Sequence, residues 1–143
     1  MDILQPITVT AATITLTKDH ANAVINLSRA AGIAVTLPAA LGTGRPYKLF
    51  TLTTVTSNNN IVQVANSTDV MQGVAWFLTT ASDNVIGFKT SATSDTISMN
   101  GTTQGGVVGD IIEITDVKAG FFSVKMFASP TGSYATPFSA AVP

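Results

Sequence analysis

Any acid–base, nucleophilic or metal chemistry in this chain would have to start from one histidine, His20, and a scatter of aspartates. His20 lies in Thr17-Lys18-Asp19-His20-Ala21-Asn22, a polar stretch between two strand-like segments. A Ser-His-Asp triad would have to use it, but no serine stands in the G-x-S-x-G setting that strains and exposes a nucleophile. One imidazole and no cysteine make a poor transition-metal ligand set. The carboxylates Asp69, Asp83, Asp95, Asp110 and Asp116 each sit beside a turn or strand end. Aspartate favours such places because its side chain accepts hydrogen bonds from nearby backbone N–H groups. A glycosidase pair would need two of them facing each other across a cleft, and a Ca²⁺ loop would need a ligand spacing that is absent. The glycine clusters Gly42-Thr43-Gly44-Arg45 and Gly105-Gly106-Val107-Val108-Gly109 superficially suggest phosphate loops. Neither leads into a helix or ends in Lys-Ser/Thr, so both are expected to be turns. No catalytic, metal-binding or cofactor-binding residue is expected.

The elements that carry these residues are strands. Threonine alternates with Ile, Val or Leu, as in Thr13-Ile14-Thr15-Leu16-Thr17 and Val35-Thr36-Leu37. That is the period of two of a strand with one buried face. Strands are predicted over 7–17, 23–27, 33–37, 47–54, 61–65, 74–80, 84–90, 96–99, 110–117 and 121–128. Glycine and asparagine turn signals such as Ala31-Gly32, Ser57-Asn58-Asn59-Asn60 and Asn100-Gly101 separate them. Many short strands with frequent turns predict an all-β fold, a β-sandwich or jelly-roll-like single domain spanning residues 1–143. If Lys118-Ala119-Gly120 is a three-residue loop with Gly120 left-handed, Val117 faces Phe121. Ile114 then lies opposite Val124 and Ile112 opposite Met126, on the buried face. Glu113 meets Lys125 and Thr115 meets Ser123 on the other.

Only 10% of the 143 residues are charged and 45% are apolar, with a mean hydropathy of +0.38. An ordinary domain carries roughly a quarter charged residues. So few charges predict surface buried against other copies or another protein, because interface cores are depleted in charge. A formal net charge of −1 offers no basic footprint for nucleic acid. No apolar run approaches the length of a membrane helix, and no export signal is expected at the start. Neither nucleic acid nor membrane is therefore an expected partner. The ends, an N-terminal arm over 1–9 and a C-terminal arm over 136–143, carry a single charge, Asp2, and bracketing prolines. One or both are expected to cross a subunit boundary or lie along another protein rather than fold back as a private tail, with Ile3, Leu4, Pro6, Ile7, Pro137 and Phe138 as contact residues. Trp76 and Phe77 are adjacent in one strand and must face opposite sides, so with one face of the sheet wet, one of the two rings is left for an interface or a sugar platform.

Several segments together resemble the small head decoration, or cement, proteins of tailed bacteriophages and related phage structural proteins. They are Ala31-Gly32-Ile33-Ala34-Val35-Thr36-Leu37-Pro38-Ala39-Ala40 running into Gly42-Thr43-Gly44, then Tyr47-Lys48-Leu49-Phe50 and Val64-Ala65-Asn66. Asp69-Val70-Met71-Gln72-Gly73, Gly109-Asp110-Ile111-Ile112-Glu113-Ile114-Thr115-Asp116-Val117 and Ala135-Thr136-Pro137-Phe138 complete the pattern. The resemblance implies a β-rich homotrimer, found on the virion's outer capsid surface and in the host cytoplasm during assembly. It would bind the major capsid protein at three-fold or quasi-three-fold positions and reinforce the expanded shell. It carries over no catalytic residue. The alternative expectation is a trimeric phage fibre or host-receptor module that binds glycans. A small hydrolase is disfavoured by the missing nucleophile–base pair.

Overall fold

The structure, a computed structural model, describes residues 5–80 and 83–143. Ile3 and Leu4 lie outside the described residues. Twelve strands form among those described: β1 Ile7–Val9, β2 Thr13–Thr15, β3 Val24–Leu27, β4 Ala34–Thr36, β5 Pro46–Thr51, β6 Asn60–Gln63, β7 Val70–Leu78, β8 Val85–Lys89, β9 Thr96–Met99, β10 Ile111–Lys118, β11 Phe121–Ala128 and β12 Phe138–Ser139. The only helical piece described is a 3-10 turn at Lys18–His20. The chain is a single all-β unit of two mixed sheets packed face to face.

One sheet has seven strands in the order β1-β3-β5-β10-β11-β7-β8, and the other five, β12-β9-β6-β4-β2. Through β6, successive strands alternate between the sheets, so the chain winds like a flattened coil. Ile7, Ile25 and Leu49 stack in register in one sheet, and Ile14, Val35 and Val62 in the other. Parallel neighbours need a crossover of a dozen or more residues, usually supplied by a helix. Here each crossover is itself a strand of the opposite sheet. Beyond β6 the pattern turns largely antiparallel, with hairpins β7–β8 and β10–β11. Five of the ten strand pairings are parallel. Of the two architectures the composition allowed, the chain therefore forms the sandwich and not the antiparallel jelly roll.

The inward residues of both sheets make one core. Ile25, Leu27, Tyr47, Leu49, Met71, Phe77, Ile112, Ile114, Phe122, Val124 and Met126 come from the seven-stranded sheet, and Val35, Val62, Ile97, Met99 and Phe138 from the other. Full burial of an aliphatic or aromatic side chain of this size contributes about 1.5–3 kcal/mol. At Gly73 the strands β7 and β11 approach so closely that a Cβ would overlap the Val124 carbonyl.

Two expectations need correction. The segment 7–17 is two strands, because the chain bends at Ala11-Ala12 and crosses to the other sheet. In the β10–β11 hairpin Ile112, Glu113, Ile114 and Thr115 pair as predicted, but Phe121 faces Lys118 and not Val117. The register shifts by one residue between Asp116 and Lys118, and Val117 bulges outward, 51% exposed. That bulge lets Asp116 keep its side chain inside while the turn tightens onto Gly120, whose φ is +80°. The described parts of the terminal arms pair within the chain. Ile7–Val9 runs parallel to β3, and Phe138–Ser139 pairs with β9. Pro137 is buried, and Phe138 is buried in the chain's own core.

Candidate interaction surface

The groups that could do chemistry are occupied in holding loops. Asp116 accepts from the N–H of Gly42 at 2.7 Å through one oxygen. Its other oxygen accepts from the N–H groups of Leu41 and Thr43, both at 3.1 Å, and from Thr43 Oγ1 at 2.8 Å. Asp110 accepts from Gly106 and Val107 N–H at 2.9 and 3.0 Å, and from Ser129 N–H and Oγ at 2.9 and 3.2 Å. Both glycine-rich loops thus turn their N–H groups inward onto an aspartate, the duty that a phosphate would have in an anion-binding loop. Asp69 takes Ala40 N–H and Asn66 Nδ2, and Asp95 takes Thr96 Oγ1 and the N–H groups of Ala141 and Val142. Asp83 is exposed and meets the Asn84 amide.

Environment separates the two best-satisfied carboxyls. Burial pushes Asp110 up, and this outweighs its hydrogen bonds from Val107, Ser129 and Gly106. Burial also pushes Asp116 upward, but the bonds from Thr43, Gly42 and Leu41 together overcome it and hold the group below the usual carboxylate range. His20 is a local cap: its Nδ1 accepts the Thr17 N–H at 2.9 Å. Among the described residues no three His, Asp or Glu side chains gather as a metal site.

What remains is a surface. On the outward face of the seven-stranded sheet, strand register lines up Asn26, Phe50, Ile111, Phe127, Trp76 and Gly87 in one row. Phe50 to Trp76 spans four strands, about 15 Å at the usual strand spacing. Trp76 is 43% exposed and Phe127 40%, and their ring centroids lie 5.0 Å apart at 49°. The indole lies over Gly87, where a Cβ would come within 3.6 Å of it. Leu78 and Val85, an exposed cross-strand pair, extend the apolar strip past Trp76.

The next row, two residues along each strand and so about 7 Å away, reads Val24, Lys48, Glu113, Lys125, Val74 and Lys89. A shallow depression of about 150 Å³ opens between the rows, lined in part by Val24, Lys48, Phe50, Ile111 and Glu113. This combination of an apolar aromatic strip and a polar flank is the anatomy of a protein interface.

Of the residues expected at an interface, Trp76 stands in this strip. Pro6 is exposed and Ile7 half-buried at the β1 edge, away from the strip across the sheet. Phe138 belongs to the core, and Pro137 beside it in the chain is buried. The partners of Trp76, namely Phe50, Ile111 and Phe127, carry a sequence signal in three adjacent doublets. Leu49-Phe50, Ile111-Ile112 and Met126-Phe127 each put one apolar side chain inward and one outward, since successive strand residues face opposite ways. No helix of the described residues is long and apolar enough to cross a membrane. No protein-family model matches this chain, and neither curated proteins nor solved structures show a significant match to it.

Proposed function

We propose that this chain is a non-enzymatic capsid decoration protein, a homotrimer that binds the outer surface of a tailed-phage head and reinforces the expanded shell. The observation that carries the binding role is the strip Phe50–Ile111–Phe127–Trp76 on the open face of the larger sheet. Monomeric proteins seldom leave a contiguous apolar patch of this kind uncovered unless it binds something. Tryptophan is among the residue types that most often dominate interface energetics. The assignment of the partner as the major capsid protein draws on the sequence resemblance, and the poverty of charge supports extensive burial in an assembly.

The test is to assemble heads with and without this chain and compare their resistance to heat and to dilution. Decorated heads should survive conditions that rupture bare ones, and added purified chain should restore the difference. Equal stability of the two, with no chain sedimenting on the heads, overturns the proposal.

A second reading, a glycan-binding module of a fibre, is favoured by one observation, the indole laid open over Gly87. Sugar rings stack on such platforms. Binding to an oligosaccharide panel, lost in Trp76→Ala, would select it.

A further inference from the structure

We infer that the partner surface received by the seven-stranded sheet is an apolar patch flanked by carboxylates, so that docking is steered by three lysines on one side of the aromatic strip. This rests on the decoration reading and specifies its contact. Lys48, Lys125 and Lys89 share the row beside the strip and are all exposed. The only acid in that row is Glu113, between Lys48 and Lys125. The row thus holds a local excess of two positive charges in a chain whose formal net charge is −1.

The contrast arises because four of the eight acidic residues, Asp69, Asp95, Asp110 and Asp116, are buried and committed to loop N–H groups. Three of the chain's seven cationic side chains meanwhile fall in one row. Like charges brought face to face oppose association and opposite ones favour it. A second copy is therefore a poor occupant. Two such faces would bring six lysines together with two glutamates, leaving most of the ammonium groups against one another. Nucleic acid fits less well than protein, because Trp76 and Phe127 pack against each other and do not stand apart as separate base platforms. Carboxylates set about 7 Å from an apolar ridge would pair with the lysines while the ridge covers Trp76, Phe127 and Ile111.

The experiment measures co-sedimentation of the full chain with heads assembled without it, at 50 and 500 mM salt, for wild type, Lys125→Glu, Lys89→Glu, Glu113→Gln and Trp76→Ala. Circular dichroism confirms that each variant is folded. Two further titrations use the fluorescence of the single tryptophan: one against a 20-nucleotide single strand, the other against increasing concentrations of the chain alone. The expected result is at least tenfold weaker binding to heads at high salt and for each lysine reversal. Glu113→Gln should bind as tightly as wild type or tighter, and Trp76 should not respond to oligonucleotide or to its own concentration.

Head binding that ignores salt and both reversals overturns the carboxylate contact while leaving the decoration reading standing. A blue shift of Trp76 with protein concentration assigns the face to a second copy, and one with oligonucleotide assigns it to nucleic acid; either overturns the inference. No binding of wild type to heads in either salt overturns both the inference and the reading beneath it.

Discussion

Asp110 and Asp116 have the same job, closing a glycine-rich loop, but their environments give pH effects of opposite sign. The Asp116 carboxyl is held below its ordinary range. Its stabilisation is complete above about pH 4, the unfolded value, and is lost as pH falls through the lower folded value. Asp110 is held above its ordinary range, so the folded state binds a proton more readily than the unfolded chain. Its contribution therefore rises as pH falls from that raised value toward about 4. Replacing Asp116 by Asn puts amide hydrogens among four donors and should cost about 1–3 kcal/mol at pH 7, a deficit that narrows on acidification below pH 4. The deficit of Asp110→Asn should instead widen as pH falls from neutrality toward 4. Urea unfolding of the two variants against wild type between pH 3 and 7 checks both, and parallel curves would contradict the assignment. The turn duty of these aspartates was legible in the sequence, because each stands at a strand end. Their partners were not, since Leu41, Gly42 and Thr43 are more than seventy residues from Asp116 and only the fold brings them together.

Among the elements, the β10–β11 hairpin was the most legible, because hydrophobic-in and polar-out agree on both strands in only one register. The bulge at Val117 was hidden, as it depends on where Asp116 must point. Gly120 lies at φ +80°, so Gly120→Val should destabilise the protein by about 1–2 kcal/mol, read from chemical denaturation. The parallel coil β1–β6 was illegible for a different reason. Alternation reveals that a segment is a strand but carries no record of its neighbours, and short linkers suit either sheet. The C-terminal arm is ambiguous in sequence, because its prolines and lack of charge suit a strap across a partner as well as an edge strand at home. The pocket that takes Phe138 and the bonds from Ala141 and Val142 to Asp95 tie it to its own chain. Phe138→Ala should therefore cost about 3–5 kcal/mol, lowering the denaturation midpoint of the isolated protein. An unchanged midpoint would return this segment to the role of an intermolecular strap.

For the whole molecule, the shortage of charge pointed to a covered surface, and the strip across the larger sheet is where cover is wanted. Folding buries half of the acidic residues, which leaves the exterior still poorer in charge than the composition suggests. The strip itself was half legible: Trp76 stood out, while Phe50, Ile111 and Phe127 became its neighbours only through the strand order β5-β10-β11-β7. Because these side chains face outward, Trp76→Ala and Phe127→Ala should leave the circular dichroism unchanged. Each should weaken association with heads by at least tenfold, which corresponds to about 1.4 kcal/mol or more. The most direct measurement is an electron cryo-microscopy reconstruction of heads that carry this chain. The account predicts regular trimeric protrusions at three-fold or quasi-three-fold positions, with the Phe50–Ile111–Phe127–Trp76 strip turned onto the shell. Protrusions whose seven-stranded sheet faces solvent, or heads that are bare while the chain resides elsewhere in the particle, would contradict it.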